Sequence, residues 1–225
     1  MKKIFLYISV FVYSYIFSQD DNSIIVRQVD PYSYEYYNNY EISRNDVYFS
    51  IEGALKNINS VRVLDLSNSN LDELSYKIGN LKNLEVLILK NNQLSELPYQ
   101  IGNLKKLRIL DVSNNHLTEV PYQIQNLKQL EVLVLNNNQL RELPYQLGDL
   151  TSLKILEATN NDISEIPYQF EKLKSLRKLI LYHNRIKEIP YQLSKLKQLK
   201  IIDLRKNLID EIPYQLKYNN LRILY

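Results

Sequence analysis

The fold is decided by the stretch LEVLVLNNNQLRELPYQLGDLTS at residues 130–152. The same pattern returns every 23 residues, and positions 4, 6, 11, 14, 18 and 21 of each unit are apolar in nearly every copy. Position 9 is asparagine and position 15 is proline in every copy but the first. Self-similarity at a fixed period predicts a solenoid in which neighbouring units bury a shared core. Position 1 is occupied in turn by Val61, Leu84, Leu107, Leu130, Leu153, Leu176 and Leu199.

Each unit contains a short strand, a turn and an irregular return. Leu133 and Leu135 are two residues apart, so both point inward from a strand whose positions 3, 5 and 7 point outward. Asn138 follows, and its amide can pair with turn backbone that would otherwise be buried without a partner. Pro144 cannot join a hydrogen-bonded ladder and is typical of an irregular segment. Because one unit is too small to fold alone, we expect the units to fold as a cooperative row.

Residues 61–216 resemble the leucine-rich-repeat family in its 23-residue form, LxxLxLxxNxLxxLPxxIxxLxx, and an eighth unit starts at Leu221 and Leu224. The resemblance implies an α/β solenoid, a horseshoe with a parallel β-sheet on its concave face. Short 3-10 or irregular segments would lie on the convex face. We therefore divide residues 61–225 into seven full or nearly full repeats and a truncated eighth.

Three segments are expected before the repeats. Lys2 and Lys3 precede an uncharged, largely apolar run at residues 4–17 that is too short to cross a bilayer as a helix. With the small Ser18, this run predicts a signal peptide at residues 1–18; an uncleaved anchor or an N-terminal strand is the alternative. Residues 19–46 form a tyrosine-rich arm. Residues 47–60 are expected to form a helical cap that begins after Asp46, because one helical face would carry Val47, Ile51, Leu55 and Ile58.

The C-terminal strand has no visible polar cap. The seventh repeat is one residue short, and the chain stops at Tyr225 inside the expected strand. We expect a monomer, and the alternative is a dimer through residues 221–225, because an exposed strand edge can pair with a second chain.

Outward-facing strand positions supply the candidate binding surface. Position 3 is almost always a β-branched aliphatic residue, position 5 alternates between acid and aliphatic, and positions 7 and 8 become large or charged in the last two repeats. An apolar stripe edged by charges suits a protein partner, with tyrosine and arginine as the usual anchors. The plain alternative is that β-branched residues favour strands and the acids keep the sheet soluble. The predicted partner-binding residues are Ile88, Asp111, Val134, Glu157, Lys178, Ile180, Tyr182, His183, Asp203, Arg205 and Lys206.

Two further columns run the length of the array. Position 16 is tyrosine and position 13 is glutamate in all seven repeats. We interpret the tyrosines as rings that stack along the return side and shield the core, and the alternative is an aromatic strip that binds glycan or protein. We expect the lysines at position 22 to offset the glutamate charges if they come near.

Composition and motifs exclude several classes of function. The net charge of +3 gives no basic field for nucleic acid, and the absence of cysteine excludes disulfides and thiolate metal sites. The two histidines, His116 and His183, lie on different repeats. The sequence contains no nucleophile elbow, phosphate-binding glycine loop or His–Glu metal motif. We therefore predict a non-catalytic protein without metal or cofactor.

The function expected from the resemblance is binding of a protein or glycan ligand on the concave face. With the leader removed, no stable membrane span remains, so we expect an exported protein that is secreted, periplasmic or on the cell surface. The composition, rich in Asn, Ile, Lys and Tyr and without the cysteine-rich caps of secreted animal members, favours a bacterial source. The alternative is an intracellular scaffold or adaptor, and the fold alone does not identify the ligand.

Overall fold

The computed structural model describes the backbone of residues 12–17, 23–29 and 39–43, and all atoms of residues 46–217 and 221–225. Strands β1 (Val12–Phe17), β2 (Ser23–Val29) and β3 (Asn39–Ser43) form an antiparallel sheet in the order β1-β2-β3. Strand β1 falls within the expected signal peptide, while β2 and β3 fall within the expected arm. Apart from Asp46, the other residues of both segments lie outside the described residues, and the leader stays a prediction.

A parallel sheet of nine strands runs through the described part of the repeats, in the order of the chain. From residue 63 to residue 203 each strand pairs with the next at equivalent repeat positions, so that Val132 lies beside Ile155 and Val134 beside Glu157. This register brings each column of repeat positions onto one line across the sheet. The strands are β4 (Val47–Tyr48), β5 (Val63–Asp65), β6 (Val86–Ile88), β7 (Ile109–Asp111), β8 (Val132–Val134), β9 (Ile155–Glu157), β10 (Lys178–Ile180), β11 (Ile201–Asp203) and β12 (Arg222–Leu224).

The return segments are short 3-10 helices, and each begins at the tyrosine of position 16. Proline precedes six of them in an extended conformation, which the fixed φ of its ring suits. In the first repeat Ser75 replaces the proline, and its Oγ accepts a hydrogen bond from the backbone N of Lys77 at 3.3 Å. The helices are Tyr76–Asn80, Tyr99–Asn103, Tyr122–Asn126, Tyr145–Asp149, Tyr168–Lys172, Tyr191–Lys195 and Tyr214–Leu216.

One continuous apolar core lies between the sheet and the return segments. The inward positions of every repeat belong to it, and Phe170 is its largest fully buried side chain. The predicted α/β solenoid with a parallel sheet on one face and 3-10 segments on the other is therefore confirmed. Among the described residues, none of the helices has both the length and the apolarity needed to cross a membrane.

The asparagine of position 9 joins consecutive repeats. The Nδ2 of Asn138 donates to the backbone O of Val112, Leu135 and Asn136 at 3.1, 3.0 and 3.3 Å, and its Oδ1 accepts from the backbone N of Leu117 at 3.0 Å. Two of these partners belong to the preceding repeat. The first repeat has no preceding leucine-rich unit to reach, which explains why serine occupies its position 9.

The N-terminal cap differs from its prediction. Helix α1 is short (Ile51–Lys56), and its N-cap is Ser50, whose Oγ accepts a hydrogen bond from the backbone N of Gly53 at 3.0 Å. Val47 lies in β4 instead of the helix, because the open edge of β5 offers parallel hydrogen-bonding partners. Of the expected apolar face, Ile58 is exposed, and the buried helix residue is Ala54.

The last strand is shifted by one residue from the predicted register. Ile202 pairs with Ile223, so Ile223 occupies the inward position 4 that we expected for Leu224. Leu221 and Ile223 both pack against the core, as residues two apart on a strand do. A dimer through residues 221–225 stays a prediction.

Candidate functional site

The strand columns of the predicted binding surface are buried. Seven of its eleven side chains have at most 8 % of their surface exposed. The expectation that this face of the sheet is open therefore does not hold for these side chains. The seven lie on six consecutive strands, β6 to β11, and are Ile88, Asp111, Val134, Glu157, Lys178, Ile180 and Asp203.

A second apolar cluster accounts for part of this burial. It is formed on the concave side of the sheet by positions 3 and 5, separately from the main core. Parallel sheets are commonly apolar on both faces, and this one follows that rule. These columns are therefore inaccessible to a partner in this structure. The buried members are Val63, Val86, Ile88, Ile109, Val132 and Val134, and Val47 and Ile155 pack against them.

The acids of position 5 hold the ends of strands. Oδ1 of Asp111 accepts hydrogen bonds from the backbone N and the Oγ of Ser113 at 2.9 and 2.6 Å. Asp65 and Ser67 repeat the same pair of bonds at 3.0 and 2.7 Å. The plain alternative was that these acids keep the sheet soluble. Asp111 is buried, so it does not have this role. Its local bonds to the strand end give it a structural role.

Glu157 is a buried acid of position 5 whose carboxylate accepts a single hydrogen bond from the described residues, that of Asn136. Its pKa is raised to about 8, mainly by burial. The hydrogen bond from Asn136 lowers the pKa, and the charge of Asp111 raises it. Burial also raises the pKa of Asp111, which the bonds from Ser113 oppose. Burial lowers the pKa of Lys178 to about 8, and the charge of Lys200 lowers it further. The concave side thus favours neutral forms of the groups it buries.

The accessible part of the predicted surface is a cluster at the ends of β10 and β11, here called the C-terminal cluster: Tyr182, His183, Arg205 and Lys206. The Cζ of Arg205 and the Nζ of Lys206 lie 5.6 and 5.2 Å from the centre of the Tyr182 ring. The guanidinium also donates from Nε and Nη2 to Asp203, at 3.0 and 2.6 Å. Cation–π contacts and a forked ion pair therefore hold Arg205 in place.

Two members of the C-terminal cluster occupy a backbone conformation that favours asparagine. Position 8 has a φ between 54° and 58° in every repeat, and the first five repeats place asparagine there. The side chains form a ladder, in which Nδ2 of Asn160 donates to Oδ1 of Asn137 at 2.6 Å and the ring Nδ1 of His183 lies 2.8 Å from Oδ1 of Asn160. Lys206, with a φ of 58°, sits where a long side chain is uncommon. Strain of this kind clusters at functional sites.

The strain at position 8 can be measured by substitution. We expect Lys206→Asn to raise the free energy of unfolding by about 1 kcal/mol, because asparagine adopts the left-handed conformation at a lower energetic cost than lysine. The reciprocal change Asn160→Lys should lower it by a similar amount. Urea denaturation of the two variants checks this. If Lys206→Asn leaves the chain no more stable, the lysine is not strained.

The tyrosine column differs from our favoured interpretation. Its rings are 51–69 % exposed, and within residues 46–217 no two of them are in contact. The rings therefore do not stack on one another. The lysines of position 22 do not neutralise the glutamate column either, because Lys128 and Lys174 donate to the backbone O of Asp149 and Glu171, at 2.9 and 2.6 Å. No ion pair of the described residues includes a position-13 glutamate. The sequence repeat marked both columns, but it did not indicate which way they face.

Comparison with solved structures identifies several similar proteins, and this chain spans less than two thirds of the length of each. A Leptospira interrogans LRR protein is 29 % identical with a TM-score of 0.65, over 79 % of this chain and 57 % of its own. The LRR ectodomain of the plant membrane receptor kinase GASSHO1/SCHENGEN3 from Arabidopsis thaliana, in complex with Casparian strip integrity factor 2, is 31 % identical with a TM-score of 0.65, over 70 % of this chain and 20 % of its own. The plant peptide hormone receptor RGFR1, in complex with RGF2, is 31 % identical with a TM-score of 0.69. This match covers 76 % of this chain and 29 % of the receptor chain.

Family models match two parts of the repeat array. Residues 48–138 match the model of a leucine-rich repeat region, and residues 174–218 match a model of two leucine-rich repeats. Comparison with curated proteins gives no match. The two family matches together span more than half of the chain, and the similar structures share its fold with TM-scores of 0.65–0.69. The chain belongs to the leucine-rich-repeat family.

Proposed function

We propose that this chain is a non-catalytic, exported binding module that recognises a protein partner at the concave sheet and its C-terminal rim. The observation that carries the proposal is the C-terminal cluster, where a half-buried tyrosine lies against two cations at an exposed end of the sheet. The similar plant receptors were solved in complex with Casparian strip integrity factor 2 and with RGF2. These complexes support a binding role for the repeat array of this chain. The leucine-rich-repeat family typically serves protein interaction, which supports the absence of catalysis.

The C-terminal cluster is ordered before a partner arrives. Arg205 is fixed by Asp203 and by the Tyr182 ring, so little side-chain freedom remains to be lost on binding. Asp203 forms an ion pair with Arg205, while Lys206 and the His183 ring stay exposed. This charge favours a partner with acidic residues near an apolar or aromatic anchor that packs on Tyr182.

The buried columns would join the interface if binding of the partner exposed them. Their apolar side chains, such as Ile88 and Val134, then offer the apolar centre, and the C-terminal cluster offers the polar rim. A protein ligand suits this combination of an apolar stripe and a charged rim, and a glycan is the alternative.

Site-specific photo-crosslinking tests the proposed surface. We expect a benzophenone amino acid at Tyr182 to give a discrete adduct with an extracellular protein, and the same group at the exposed Lys82 to give none. Adding Arg205→Ala should reduce the adduct by about tenfold, because truncation of an interface arginine typically has an effect of that size. Equal adducts from Tyr182 and Lys82, or adducts unaffected by Arg205→Ala, would contradict the assignment.

Export is tested separately by intact mass in separated medium, envelope and cytoplasm. A species that begins at Gln19 outside the cytoplasm supports the proposed leader and an exported module. A full-length species in the cytoplasm would contradict it and favour the intracellular scaffold. The two experiments are independent, because binding at the C-terminal cluster does not require that the leader be removed.

A further inference from the structure

A long groove runs along the side of the array that carries the 3-10 helices. Its volume is about 1120 Å³, and it extends over five repeats, from Tyr76 to Gln169. Four of these repeats contribute the same five residues, Glu-aliphatic-Pro-Tyr-Gln, as at residues 142–146. None of the predicted partner-binding residues lines it. The groove is therefore a second surface, built in register by the repeat.

The tyrosine rings are left in water by the geometry of the return segment. Pro144 is extended, with φ −62° and ψ 135°, and Tyr145 then starts the 3-10 helix. The flanking Leu143 and Leu147 are buried in the core, whereas the ring between them is 59 % exposed. The same arrangement recurs in each repeat, so large aromatic rings form a continuous exposed row. Such rows mark interaction surfaces, where tyrosine supplies both a ring face and a hydroxyl.

The groove is also negatively charged without internal compensation. Four glutamates of position 13 line it, and all seven in the column are exposed. The described residues provide none of them with an ion pair. Like charges on neighbouring repeats repel one another, so a cationic ligand would relieve this repulsion and gain attraction from several carboxylates at once. The glutamates that line the groove are Glu96, Glu119, Glu142 and Glu165.

One hydrogen-bond acceptor at the groove wall has no donor among the described residues. Oε1 of Gln100 is buried there and accepts no hydrogen bond from the described residues. Gln100 packs closely against Gly79. A Cβ atom added at Gly79 would lie only 2.9 Å from the backbone O of Gln100 and 2.8 Å from its Cβ. An acceptor without a donor is unfavourable when it is buried. Lysine and arginine side chains carry donors only, which complements this wall.

We propose that this groove binds an extended, arginine- or lysine-rich segment of a polypeptide partner. Its cationic side chains would pack on the tyrosine faces through cation–π contacts, while their N–H groups bond the glutamates. An extended segment presents alternate side chains to one side, so a run of basic residues can follow the row from repeat to repeat. A neutral glycan would use the rings but leave the carboxylate repulsion in place, and an acidic ligand would increase it.

Fluorescence anisotropy on the full chain tests the proposal with a labelled decapeptide of alternating Arg and Ser. Its matched probes are an alternating Glu and Ser decapeptide and the neutral hexasaccharide cellohexaose. We expect binding of the basic peptide alone, weakened by salt. The triple variant Glu96→Gln/Glu119→Gln/Glu142→Gln should weaken it by about tenfold or more, and so should Tyr99→Ala/Tyr122→Ala/Tyr145→Ala.

Matched variants separate the groove from general charge. The control variant Glu52→Gln/Asp162→Asn/Glu171→Gln removes an equal number of negative charges outside the groove. It should change the affinity for the basic peptide less than about threefold. Tyr99→Phe/Tyr122→Phe/Tyr145→Phe keeps the rings and should behave similarly. Tyr182→Ala should have no effect, so failure here is distinguishable from failure of the proposed function. Tyrosine emission, in a chain without tryptophan, gives a second readout on the unmodified protein.

Three outcomes would overturn the proposal. The first is no binding of the basic peptide at about millimolar concentration, where specific contacts begin to register. The second is equal weakening by the groove triple and by the matched charge control. The third is binding of cellohexaose that depends on the three tyrosines while the basic peptide stays unbound, which would make the row a glycan strip. Thermal melts of each variant establish that the fold is retained.

Discussion

Replacing Asn138 with alanine is expected to lower the free energy of unfolding by about 3 kcal/mol, because the change leaves buried backbone groups without partners. The Asn138 side chain serves four backbone groups, and these belong to its own repeat and to the preceding one. Alanine fills none of these roles, and the side chain is too well buried for water to replace it without rearrangement. Because the bonds join two repeats, the loss also weakens the coupling between them.

Urea denaturation of Asn138→Ala measures this loss, and Ser69→Ala is the matched control. Ser69 holds the same position of the first repeat, where its Oγ makes one long bond of 3.4 Å to the backbone O of Ser67. We expect the control to change stability by less than about 1 kcal/mol. A similar, small effect in both variants would mean that water or a shifted backbone takes over the bonds of Asn138.

Raising the pH from about 5 to 9 is expected to destabilise the chain through Glu157. Its folded pKa of about 8 lies above its ordinary value of 4.5, so the folded state binds more protons in this window. The stabilising contribution of the protonated carboxyl is fully present below about pH 4.5 and is lost as the pH rises through 8. Because each tenfold difference in proton affinity between the folded and unfolded states corresponds to about 1.4 kcal/mol, the loss is on the order of 3–5 kcal/mol.

The variant Glu157→Gln isolates this effect, because glutamine stays neutral and its carbonyl can still accept the bond from Asn136. We expect it to be about 3 kcal/mol more stable than the parent at pH 9 and nearly equal to it at pH 5. Glu165→Gln, an exposed glutamate of the same repeat, should change neither value appreciably. Chemical denaturation at both pH values decides this. A Glu157→Gln variant with the same pH dependence as the parent would show that the carboxyl titrates normally.

The repeat period was sufficient to predict the core. Positions such as Leu133 and Leu135 alternate on a strand, and an alternating apolar residue has only one side on which to be buried. Position 9 was equally predictable, because a turn that is buried in a solenoid needs a side chain that donates and accepts. These features depend on local spacing alone, and the structure places them where the spacing requires.

The ends of the array were predicted less well. Asp46 and Ser50 are both suitable N-caps, and the choice depends on β4 pairing with β5, which no local pattern reveals. The register of β12 depends in the same way on its neighbour, because Ile223 and Leu224 are both apolar and either can occupy the inward position beside Ile202. Regular repetition disappears at the ends, and with it the basis of the prediction.

By itself, the sequence determined that this protein is a leucine-rich-repeat solenoid, which residues form its core, and how its units are joined. Only the tertiary structure decided what faces solvent: Ile88, Asp111 and Glu157 are buried, whereas the tyrosines and glutamates of the return side line an open groove. The physical reason is that spacing fixes the direction of a side chain relative to its own strand or turn. Exposure depends on what packs over that direction, and this belongs to the assembled chain.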